Sequence, residues 1–87
     1  MSGASESLLK FPCDLPIKVF GRNAADFRAV ALAIVEKHYG TAYTVVEQHS
    51  KQGAYLSLTI TVRAESRAEI DALYQDLVAS ELILMAF

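Results

Sequence analysis

The sequence predicts an α+β domain of the ferredoxin-like βαββαβ class: a four-stranded antiparallel sheet carrying both helices on one face. Three observations carry this. Two stretches place apolar residues at helical spacing. Four others are strand-like, one of them alternating strictly, and the two kinds follow in the order β-α-β-β-α-β. At 87 residues the chain holds a single core of about the smallest self-sufficient size.

Taken in order, the stretch 1–7 ("MSGASES") is small and polar and reads as a disordered tail, leaving 8–87 as the domain. "LLKFPCDLP" (8–16) reads as an extended lead-in, and "IKVFG" (17–21) as the first strand, with Ile17 and Val19 inward and Lys18 and Phe20 outward. Asn23 is the expected N-cap of the first helix, with Asp26 three residues on. Phe27, Val30, Ala31, Ile34, Val35 and His38 form its apolar stripe, and Gly40 its stop. The other side of this helix, with Ala29, Leu32 and Ala33, is short of charge.

"AYTVVEQHS" (42–50) is the second strand. A three-residue loop, Lys51 to Gly53, leads to the third, "YLSLTITVRA". Such a loop pairs Ser50 with Ala54, turning Thr44 and Val46 to the core and Tyr43, Val45, Glu47 and His49 outward. Ser66 and Glu69 make a capping box for the second helix, whose stripe is Ile70, Leu73, Tyr74, Leu77 and Val78. "LILMAF" is the last strand, apolar on both faces.

The sheet face away from the helices then carries Phe20, Val45, Tyr55, Ser57, Thr59 and Thr61, an uncharged row seldom left to water. Hydrophobic residues make up 53% of the chain, more than so small a core hides. These six are therefore candidate contact residues, and a homo-oligomer is expected. A protein partner or a small effector is an alternative occupant.

The chemistry readings are mostly exclusions. The net charge is −2, which gives no footprint for phosphate backbones. An RNA-binding domain of the same topology is the runner-up, but Lys18, Gly53 and Leu58 stand where stacking aromatics are needed. Two isolated histidines and the single Cys13 offer no metal-ligand spacing. No paired carboxylates or phosphate loop appear, so neither catalysis nor a cofactor is expected. One cysteine and no signal sequence or membrane-length apolar run give a cytoplasmic expectation, with no membrane contact. Gly21, Arg22 and Asn23, just before a helix, could hold an anion. A tight turn at the glycine and a cap at the asparagine are the simpler explanation of the same residues.

The Leu-Leu-x-Phe-Pro lead-in, Lys18-Val19 with Gly21, Ser50 with Gly53, Tyr55, Ser57, Ile60 and the Leu73-Tyr74 pair together resemble the YbeD-like family of small bacterial proteins. The resemblance spans 8–87. It implies a ferredoxin-like fold close to ACT-type regulatory domains, no enzyme activity, and a regulatory role connected with lipoate metabolism. ACT domains bind small effectors near the loop after the first strand, so the resemblance makes Gly21, Arg22 and Asn23 the candidate effector site. The loop here lacks the aspartate and Pro-Gly turn usual in ACT domains.

Overall fold

A computed structural model describes residues 10–87, and the tail expected over 1–7 lies outside the described residues. The elements are β1 (Cys13–Arg22), α1 (Ala25–Tyr39), β2 (Tyr43–His49), β3 (Tyr55–Ala64), α2 (Arg67–Ala79) and β4 (Ile83–Ala86). The strands lie in the order β2-β3-β1-β4, every neighbouring pair antiparallel. This is the ferredoxin-like arrangement that the element order predicts.

Strict alternation along β3 buries Leu56, Leu58, Ile60, Val62 and Ala64. They meet Ile17 and Val19 of β1, Phe27, Ala31 and Val35 of α1, and Leu73 and Leu77 of α2 in one core. Both helices therefore cover the same sheet face and leave the other uncovered. Phe27 is the largest side chain in that core, and Gly21 makes room for it: a Cβ on Gly21 would stand 2.2 Å from the ring.

Four expectations change. β1 starts at Cys13, so residues 13–16 of the expected lead-in are strand, and β1 is paired from Cys13↔Ala64 to Arg22↔Tyr55. Pro16 fits inside it because alternate amides face the same neighbour. The Lys18 amide points to the β4 side, where it reaches Phe87, and position 16 points that way beyond the end of β4, where no partner is lost among the described residues. Second, Ala24 is the N-cap of α1 and makes no side-chain cap bond. Asn23 spends its side chain elsewhere, donating from Nδ2 to the Gly53 carbonyl at 2.8 Å. The capping box of α2 does form, with Ser66 Oγ accepting from the Glu69 amide at 3.3 Å, and Gly40 ends α1 at φ +62°.

The third change is the register of β2. The hairpin loop has four residues, not three: the Ser50 amide donates to the Tyr55 carbonyl at 3.0 Å, and His49 pairs with Leu56. One added loop residue slips the register by one and turns every β2 side chain over. Val45, expected outward, faces Ile60 and packs against the core, whereas Val46 faces Thr59 and is 67% exposed. Tyr43 and Glu47 likewise turn to the helix side, where Tyr43 donates to Glu36 and Glu47 pairs with Arg28. Fourth, Val78 is exposed and not core, because the buried stripe of α2 is the narrower Ile70, Leu73 and Leu77.

Candidate functional site

The uncovered sheet face is organised by strand pairing into rows of side chains. One row runs Met85, Phe20, Ser57, Gln48 across β4, β1, β3 and β2. The next runs Phe87, Lys18, Thr59, Val46, with Phe87 joined to Lys18 by reciprocal backbone bonds of 2.7 and 2.9 Å. Pro16, Thr61 and Thr44 follow, and then Asp14 with Arg63, which form a 3.4 Å ion pair. At the opposite end Arg22 pairs with Tyr55.

Five of the six candidate contact residues, Phe20, Tyr55, Ser57, Thr59 and Thr61, stand on this face; Val45 does not. Val46, Met85 and Phe87 supply apolar surface there instead, each more than half exposed. Phe87 stacks on Phe20, with ring centroids 5.6 Å apart and planes at 22°. The placement of Phe87 depends on a register shift between β1 and β4 at Phe20/Gly21, which leaves Leu84 unpaired. Alternation along "LILMAF" alone does not reveal such a shift.

A hollow of about 250 Å³ opens on this face between Lys18, Phe20, Gln48, Ser50, Tyr55 and Ser57. Its origin is a size difference: Ser57, the small member of its row, sits between Phe20 and Gln48 across the sheet and between Tyr55 and Thr59 along β3. Its hydroxyl is directed sideways, donating to the Gln48 carbonyl at 3.3 Å. Two cations flank the rings, Lys18 Nζ at 6.0 Å from the Phe20 centroid and the Arg22 guanidinium carbon at 5.9 Å from that of Tyr55.

The three residues of the expected effector loop are drawn into separate contacts. Gly21 is covered by Phe27, Arg22 lies over Tyr55, and Asn23 joins the hairpin through Gly53 and by its amide to the Ala54 carbonyl at 3.0 Å. The loop is thus tied to the β2–β3 turn, a link between residues 30 apart that no local pattern announces.

The titratable groups with a shift lie on the helix side. Asp76 accepts from His38 at 2.7 Å, and this bond, with Lys37 at 3.4 Å, holds its carboxyl below the usual carboxylate range. The Tyr39 hydroxyl is buried without a hydrogen-bond partner among the described residues, and burial, with the Glu69 carboxylate nearby, pushes it up to about 12. Among the described residues no group of three or more His, Cys, Asp or Glu gathers as a metal site, and no helix is long and apolar enough to cross a membrane.

Comparison with known proteins places the chain. Residues 6–87 match the family described as "Protein of unknown function (DUF493)". A UPF0250 protein of Nitrosomonas europaea is 42% identical over 83 residues, covering 92% of this chain and 94% of its own. One from Paraburkholderia phymatum is 38% identical, covering 95% and 96%. The solution structure of protein HP0495 from H. pylori superposes with a TM-score of 0.76 over 91% of this chain and 85% of its own, at 12% identity. At that identity the likeness is one of fold. The chain belongs to the DUF493 family, the YbeD-like group of small bacterial proteins.

Proposed function

Taking the chain as a member of that family, we propose that it is a non-catalytic regulatory or interaction module whose uncovered sheet face docks a second copy of the chain. The observation that carries this reading is the composition of the face. Phe20, Val46, Tyr55, Met85 and Phe87 lie on it, and among the described residues its one carboxylate side chain, Asp14, is already paired with Arg63. Exposed apolar surface of this kind is what association removes from water. A link to lipoate metabolism belongs to the same proposal and rests on the family resemblance alone.

Sedimentation equilibrium at tens of micromolar tests it with Val46→Glu. Val46 is 67% exposed, so a carboxylate there leaves the monomer folded, yet it would be buried unpaired in a sheet-to-sheet contact. Thr59→Glu is a poorer probe, because Lys18 stands directly opposite and would neutralise it. The expected result is a wild-type dimer and a monomeric variant. A monomeric wild type, or a variant that associates equally well, overturns the reading.

A further inference from the structure

We infer that the hollow over Ser57 binds a small organic anion, a carboxylate borne on a ring or short hydrocarbon, with Lys18 and Arg22 facing its charge and Phe20 and Tyr55 its apolar part. The first ground is the distribution of charge. Of the eight lysines and arginines, Arg28, Lys37, Arg63 and Arg67 have carboxylate partners. Lys10, Lys18, Arg22 and Lys51 have none among the described residues, and the last three gather about Tyr55: Arg22 over its ring, Lys18 across the hollow, Lys51 beside it in the next depression. In a chain of net charge −2, such a group of unpaired cations is an electrostatic complement to an anion.

The second ground is shape. At about 250 Å³ the hollow lies just under the range of roughly 300–1,000 Å³ for drug-sized sites, which suits a metabolite-sized occupant. Its lining includes the two rings together with Gln48, His49, Ser50 and Ser57. The larger hollow of about 400 Å³ at the other end of the sheet offers no free charge, since Asp14 and Arg63 there satisfy each other.

A single-stranded nucleic acid also seeks cations and rings, but it needs a track of open rings for successive bases. Here Phe20 is already stacked by Phe87, leaving Tyr55 alone. One ring and a short cluster of cations fit one small anion.

The test is amide-shift mapping by NMR with sodium phenylacetate and, as the neutral control, phenylacetamide. It uses protein concentrations below the association range found by sedimentation, so failure of this inference and failure of the dimer reading are told apart. Saturable shifts at Lys18, Phe20, Tyr55 and Ser57 are expected for the carboxylate, with affinity about tenfold weaker for the amide, the worth of one hydrogen bond to a charged group. Lys18→Gln with Arg22→Gln should weaken phenylacetate alone, and Ser57→Val, which fills the hollow, should abolish both. Non-saturating or scattered shifts, equal affinity for acid and amide, or unchanged binding by Lys18→Gln/Arg22→Gln overturn the inference. So does tighter, salt-steep binding of a single-stranded RNA oligonucleotide to the same residues.

Discussion

Gly21 shows how one absent side chain shapes the domain. Because its Cβ would stand 2.2 Å from the Phe27 ring, Gly21→Ala forces the largest core residue aside. Overpacking of this kind typically costs about 1–3 kcal/mol, and urea denaturation should show a loss in that range with an unchanged m-value. Asn23 acts through a different economy. Asn23→Ala removes the bond to the Gly53 carbonyl, an exposed contact worth about 0.5–1.5 kcal/mol. The expected loss is therefore smaller than that of Gly21→Ala, with faster amide exchange confined to the hairpin around Gly53.

At the scale of the elements, β2 and the helix pair make opposite points. Val45 and Val46 are chemically identical neighbours whose surroundings differ only through the hairpin loop. Val45→Glu should unfold or severely destabilise the domain, because it turns a charge to the core side. Val46→Glu should cost no more than the roughly 1 kcal/mol span of strand preferences. The reverse order of effects in thermal denaturation would mean that the three-residue loop and its register hold in solution. The helices are joined by His38 and Asp76, and Asp76 has its folded-state pKa lowered by that bond. A lowered carboxyl pKa stabilises the fold above the unfolded-state value of about 3.9 and ceases to do so as pH falls through the folded value. Wild type should therefore exceed Asp76→Asn in stability at pH 5 to 6, and the difference should close on acidification below about pH 4. A difference that persists unchanged there would show that the carboxylate's charge is not its source.

The whole molecule is a small sheet with one covered face, and its electrostatics argue about partners more than its fold does. With a net charge of −2 and a single unstacked ring on the open face, it should not bind mixed-sequence single-stranded RNA. Fluorescence anisotropy should show no salt-dependent binding. Tight binding that falls steeply with added salt would restore the RNA-binding reading of this topology.

What the sequence determined by itself was whatever neighbours along the chain decide. The strict alternation from Leu56 to Val62, the Phe27-Ala31-Val35 stripe, the Ser66 cap and the Gly40 stop are all local, and the element order they produce has few antiparallel solutions. So the ferredoxin-like class was legible, as were Phe20, Tyr55, Ser57, Thr59 and Thr61 on its open face. Tertiary structure decided what depends on pairing between distant residues. The length of the β2–β3 loop set which of Val45 and Val46 is buried, the β1–β4 shift brought Phe87 onto Phe20, and the hairpin took Asn23 from its expected cap. In each case two arrangements have nearly the same local energy, and only long-range contacts distinguish them, because a one-residue slip in a strand leaves its own sequence pattern intact while reversing every side chain.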